Sequence, residues 1–278
     1  MTSKLEARAA LEAAGHLPDA ELDLAAVALQ FARQDAPDAD WRAAAAHLSD
    51  IARDAVVAAA ALAEESVEAR RAALAEVIHG QYGYRGDAET YEDLANANLI
   101  RVIERRRGLP VALGILWLHA AEAAGWSAHG VDFPGHFLIA LEAGRGSCIV
   151  DVFDNGTALD APALRALIKR FEGEAAELRP SLLRAMGKRE VLLRLQNNIK
   201  LRRLRAGRLA EALDCTEDML RLAPDHAGLW REAGLMNHRL DRYGAALACL
   251  ERALEIEPRG EGAARLRALA DELRQRLN

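Results

Sequence analysis

The sequence predicts an α+β fold: a mostly helical domain carrying a small antiparallel sheet, followed by an all-α segment of paired helices. Three observations lead there. Hydrophobic residues make up 51% of the 278 residues but aromatics only 5%, and alanine, leucine, arginine and glutamate dominate, all of them strong helix formers. Short β-branched or aromatic apolar runs cluster between about residues 127 and 153, with a glycine-rich turn between two of them. Ala212 and Ala246, Cys215 and Cys249, and Pro224 and Pro258 share one offset of 34 residues, a period typical of a helix–turn–helix repeat.

Each element has its own reason. In LDLAAVALQFAR (22–33), Leu22, Ala25, Ala26, Leu29 and Ala32 share one helical face, and Asp19 or Asp23 is placed to cap it. Ala36-Pro37-Asp38 breaks that helix. Further helices are expected over about 41–63 and 67–79, then a loop at GQYGYRGD (80–87) and a helix over about 91–106. Gly108-Leu109-Pro110 punctuates the chain, and proline fits a first helical turn because its missing N–H has no intrahelical partner there. The helix that follows, VALGILWLHAAEAAG, is apolar nearly all round, as a central core helix is. SAHGVDF, HFLIAL and SCIVDVF read as strands, with AGRG (143–146) as the turn between the last two. ALDAPALRALIKRF (158–171) returns to helix, with Asp160 as its cap. A polar stretch around Pro180 separates a first domain, 1–180, from a helical segment, 181–278, that closes on a solvating cap helix.

Bulk properties narrow the function. The net charge of −6 and pI near 5.8 lack the basic excess of a nucleic-acid-binding surface. The N-terminus has no apolar core of an export signal, and the longest apolar stretch, AVVAAAALA, is too short to span a bilayer. Cys148, Cys215 and Cys249 are widely spaced and form no disulfide framework, which suits a reduced cytoplasmic compartment.

The residues with chemical potential centre on the hairpin. With AGRG as the turn, residue 142 pairs with 145 and His136 falls opposite Asp151, on one face. A carboxylate there either satisfies a polar histidine at the end of a hairpin or orients it as a base. Cys148, at an odd separation from Asp151, points to the other face. His129, Asp132 and His136 match no strong metal-ligand spacing, so no metal is expected. Arg101, Arg105, Arg106 and Arg107 form a basic cluster before the Gly-Leu-Pro turn, which is either a solvated helix end or a site for an anion or carboxylate. Asn98 caps or braces a turn.

The order of a glycine-closed apolar helix, a strand, a histidine strand, a turn and an aspartate strand resembles the transglutaminase-like fold. In that family a cysteine opens the helix some fifteen residues before the closing glycine. Counting back from Gly125 gives Pro110, which carries no nucleophile. NANLIRVIERRRGLPVALGILWLHAAEAAG followed by DFPGHFLIAL resembles the bacterial SirB-type proteins more specifically. These join a transglutaminase-like domain to C-terminal tetratricopeptide repeats. Trp230, Gly234, Tyr243, Ala246, Ala253 and Pro258 fall at positions of that repeat's motif, with Asn237 where the motif has tyrosine. The resemblance implies a non-catalytic module that binds a protein or peptide, with His136 and Asp151 as a residual pair and no cofactor. An alternative is a hydrolase or acyl-transfer enzyme that uses His136 and Asp151 without a protein thiol. Arg202, Arg203, Arg231 and Arg239, on the first helices of the pairs, suggest a basic groove for an acidic peptide.

Overall fold

The computed structural model describes residues 2–259 and 262–277. The chain divides into two compact units, one of Met1–Ala7 and Pro18–Leu195, the other of Arg8–Leu17 and Gln196–Asn278.

The first unit is built on helices α2 (Leu24–Asp35), α3 (Trp41–Ala60), α4 (Val67–Ala75), α5 (Leu99–Arg105) and α6 (Pro110–Ala123). Asp23 caps α2 by accepting from the Ala26 N–H. Asp19 serves a different helix. Its carboxylate accepts from the backbone N–H groups of Lys188 at 2.8 Å and Arg189 at 2.7 Å, capping α8 (Lys188–Arg205) from far away in sequence. Helix α4 passes into a π-type turn over Glu76–Gln81. The helix expected over 91–106 is interrupted: a short 3-10 turn spans Leu94–Asn96, and Asn98 then caps α5. Helix α6 is buried along most of its length and packs on α2, α3 and the sheet, as an all-round apolar helix must.

The sheet has five strands in the order β6-β5-β4-β3-β7: β3 Ala128–Phe133, β4 His136–Ala143, β5 Gly146–Asp151, β6 Thr157–Leu159 and β7 Ala185–Met186, all antiparallel. The three central strands are those the sequence predicts. The hairpin register differs by two residues: Ala143 pairs with Gly146, and the turn is Gly144-Arg145, with Gly144 at φ +57°. Leu138, not His136, therefore lies opposite Asp151 by continuation of this register. A shift of two preserves the face of every side chain, so His136 and Asp151 become diagonal neighbours on one face. A separate pair of two-residue strands, β1 (Arg85–Gly86) and β2 (Arg107–Gly108), runs parallel and leads into α6.

Between α4 and α6, His79 is held in one protonation state by geometry. Its Nδ1 lies 2.7 Å from the Tyr84 carbonyl, and Trp117 Nε1–H donates to its Nε2 at 3.0 Å. Only the neutral ring with the proton on Nδ1 satisfies both contacts. Burial pushes its pKa below the ordinary value. The unfolded chain then binds the extra proton first, so this contribution to stability is complete above about pH 6.5 and declines as pH falls below it. The thermal midpoint is expected to drop between pH 7.5 and 5.5. His79→Gln keeps an acceptor for Trp117, so it should flatten part of that slope. A variant with the wild-type slope would contradict this assignment.

The second unit contains the end of α1 (Thr2–Gly15), the C-terminal part of α8, and helices α9 (Leu209–Leu222), α10 (Ala227–Arg239), α11 (Tyr243–Ile256) and α12 (Ala263–Leu277). Its close packing shows at Gly234, where a Cβ would lie 2.7 Å from Leu250 Cδ2. Asn237, in place of the motif tyrosine, is buried and donates to the Ala233 carbonyl.

Candidate functional site

Side chains alternate faces along a strand, and in β4 the alternation sorts the site. Phe137 turns toward α6. A Cβ on Gly114 would sit 2.2 Å from its Cε1, and one on Gly130 would sit 3.0 Å from its ring, so both glycines make room for this phenylalanine. His136 shares the other face with Leu138 and Ala140, which pack with Leu164 and Ile168 of helix α7 (Ala161–Glu172).

His136 Nε2 lies 2.9 Å from Asp151 Oδ1. Both residues are buried at 8% exposure. The same oxygen accepts from the backbone N–H groups of Phe153 at 2.9 Å and Asp154 at 3.3 Å. Three donors thus converge on Asp151, and the turn that carries them closes with Gly156 N–H on the Asp151 carbonyl. As an acceptor, Asp151 requires the proton on Nε2, which leaves the lone pair of the neutral imidazole on Nδ1. Among the described residues, no hydrogen bond takes Nδ1.

Aromatic rings frame the imidazole. Phe171 stacks on it at 5.8 Å between centroids, and Phe153 meets it edge-on at 6.2 Å. Tyr91 in turn meets Phe153 at 6.0 Å. Phe171 and Tyr91 are 43% and 38% exposed, so the buried pair lies beside an exposed aromatic border. Arg194 reaches in from below, donating to the His136 carbonyl at 2.7 Å and pairing with Asp132 at 2.5 Å. Burial lowers its pKa, against the pull of Asp132.

Pro110 is buried in the first turn of α6, with Leu109 as the N-cap residue. Its link to the histidine is indirect, by way of Gly108, Gly86 and Phe153. Gly86 pairs with Gly108 just before Pro110, and a Cβ on Gly86 would lie 2.6 Å from the Phe153 ring. Burial raises the Cys148 and Cys249 pKa values, with Glu68 and Glu217 adding to the effect. Cys215 is 1% exposed.

The other residues singled out in the sequence lie elsewhere. Asn98 accepts from the Arg101 N–H and donates to the Ala32 carbonyl. Arg105 bridges Asp87 at 3.1 Å, Asn96 at 3.2 Å and Asp93 at 3.5 Å. Burial pushes the Asp87 carboxyl up, but Thr90, Asn96 and Arg105 outweigh it and hold it below the usual range. Arg107 is exposed and pairs with Glu89. His129, Asp132 and His136 go to three different partners: Glu142, the Arg184–Arg194 pair, and Asp151. In the second unit, Arg231 and Arg239 are exposed. Arg202 is buried and donates to Asn198, while Arg203 donates to the Glu211 carbonyl and Cys215 Sγ. Phe153, Phe171 and Arg194 carry no motif in the sequence: the first is an aromatic at a turn, the second an aromatic at a helix end, and the third an arginine within α8, and only the fold brings them to His136.

Residues 42–197 match the model of the transglutaminase-like superfamily. The chain belongs to that superfamily. Residues 199–271 match the tetratricopeptide repeat, so a transglutaminase-like domain is followed here by repeats of a kind that generally mediates protein–protein interaction. The chain also belongs with the UPF0162 proteins. It is 31% identical to one from Xylella fastidiosa strain Temecula1 over 86% of each chain, and 30% identical to one from Vibrio cholerae over 91% of this chain and 92% of that one. A shorter stretch, 28% of this chain and 12% of the other, is 31% identical to F-box only protein 21 of Homo sapiens. No solved structure matches the chain. Among the described residues of this transglutaminase-like protein, no helix is long and apolar enough to cross a membrane.

Proposed function

We propose that the chain is a non-catalytic transglutaminase-like protein of the cytoplasm that binds a polypeptide segment. The observation that carries this reading is Pro110 in the first turn of α6, where the family places its cysteine. A helix N-terminus stabilises a thiolate through its dipole, but proline has no group to stabilise. The residual His136–Asp151 pair then works as architecture and as a binding wall, with Phe171 and Tyr91 as its exposed border. Three cysteines without a disulfide suit a reducing compartment.

A second reading is favoured by one feature, the unbonded Nδ1 of an imidazole fixed through Nε2. Such a ring can take a proton from water and support ester or amide hydrolysis. Rates measured on an activated ester and on a glutaminyl peptide with an amine acceptor separate the two. A non-catalytic protein predicts that wild type and His136→Ala agree within about twofold. A general base predicts a loss of about 10²–10⁴ in the variant, with Asn in place of His136 equally inactive.

A further inference from the structure

The second unit holds a pocket of about 440 Å³ that the His136 site does not involve, within the size range of ligand sites. Its apolar walls are Leu220, Pro224, Trp230, Ala233 and Cys249, from α9, α10, α11 and the turn before α10. Glu12, His16, Glu217 and Arg221 supply the polar groups.

These groups are not equally available. The end of α1 is seated so closely on α9 that a Cβ on Gly15 would lie 2.1 Å from the Arg221 carbonyl oxygen. Buried Asp218 receives both Arg8, at 3.2 Å, and Arg221, at 3.1 Å. Arg221, the strong cation of the pocket, is therefore already paired. Glu12 and Glu217 enter no ion pair among the described residues. The Trp230 indole N–H donates to the Pro224 carbonyl at 2.7 Å, so Trp230 offers the pocket its ring rather than its donor. Burial, with Glu217 adding to it, raises the Cys249 pKa, which makes that wall a neutral thiol.

An aromatic ring, apolar walls and two unpaired carboxylates are the complement of a long aliphatic stem with a cationic head. We infer that this pocket receives a lysine or arginine side chain of a basic partner segment, its stem against Leu220, Pro224 and Ala233 and its head between Trp230 and the Glu12 and Glu217 carboxylates. The inference rests on the repeats being a partner-binding module and assigns the partner's chemistry. It is opposite in sign to the acidic peptide that the four arginines suggest, two of which are tied up internally.

Two fluorescein-labelled peptides test it on the full chain, one alternating alanine with arginine and one alternating alanine with glutamate. The basic peptide should bind, shift the indole resonance of Trp230 (assigned with Trp230→Phe), and weaken as salt rises. Glu12→Gln with Glu217→Gln should weaken it about tenfold or more. Glu174→Gln with Glu177→Gln removes the same charge outside the pocket and should leave affinity within about twofold. The inference is overturned by equal or tighter binding of the acidic peptide, by equal effects of the two double variants, by an unmoved Trp230 resonance, or by binding of neither peptide. Acidic-peptide binding would leave the repeats a partner-binding module and remove only this ligand class, and none of these outcomes bears on turnover at His136.

Discussion

Replacing Asp151 by alanine should lower the stability of the transglutaminase-like domain by about 3–5 kcal/mol, the largest loss expected from any single change at this site. The carboxylate is buried and one of its oxygens receives His136 Nε2–H and two backbone N–H groups. Truncation leaves all three donors without that partner, and an unsatisfied buried donor costs about 1–3 kcal/mol. It also releases the turn of residues 151–156, in which Gly156 adopts φ +77°. A Cβ there would lie 2.5 Å from the Trp117 ring, so loosening this turn disturbs the packing of α6. His136→Ala removes one donor and leaves Asp151 with two, so about 1–2 kcal/mol is expected. Asp151→Asn keeps an acceptor and should fall between the two. Denaturant midpoints followed by the fluorescence of Trp117 and Trp126 give the order directly. If Asp151→Ala costs no more than His136→Ala, Asp151 does not organise the turn.

Much of the fold is legible in local pattern. The helices come from apolar faces and caps such as Asp23 and Asp160, and the three central strands from β-branched runs. Gly234 falls in the repeat motif because a neighbouring leucine leaves no room for a Cβ. What local pattern misses is set at a distance. Asp19 reads as a cap for the helix beside it, but its partners are Lys188 and Arg189, and no signal in the sequence links them. Strands β6 and β7 are two or three residues long and show no alternation. The predicted hairpin register lies two residues away because pairing 142 with 145 puts the loop at Ala143-Gly144, whereas the chain turns one residue later, at Gly144-Arg145, with Gly144 at φ +57°. The His136–Asp151 contact survives the difference only because strands repeat every two residues. The Ala7, Leu11 and Ala14 face of α1, all buried, was open to periodicity. Its share in the second unit was not.

The groups around the pair follow the same division. Histidine and aspartate stand out by type, whereas Phe153 and Phe171 become part of the site only once the turn and α7 are folded. The basic cluster before Pro110 looks like one feature in the sequence and is several in the structure. Arg105 is bound to Asp87, Arg107 faces solvent with Glu89, and Arg106 sits at φ +57° with its guanidinium against Tyr84 and His47.

In the non-catalytic reading, this transglutaminase-like domain keeps an oriented imidazole but has no activated thiol. Alkylation of the native protein by iodoacetamide at pH 6.5, read cysteine by cysteine by mass spectrometry, tests it most directly. An ordinary thiol is only about 1% thiolate at that pH, so a nucleophile ionised by a helix N-terminus and a histidine would present up to about a hundredfold more thiolate and stand out from the others. Cys148 and Cys249 have raised pKa values and Cys215 is buried. Cys148 and Cys249 are therefore expected to react no faster than free cysteine, and Cys215 to stay unlabelled until the chain unfolds. Rapid, stoichiometric labelling of any one of the three in the folded protein, lost in His136→Ala, would contradict it.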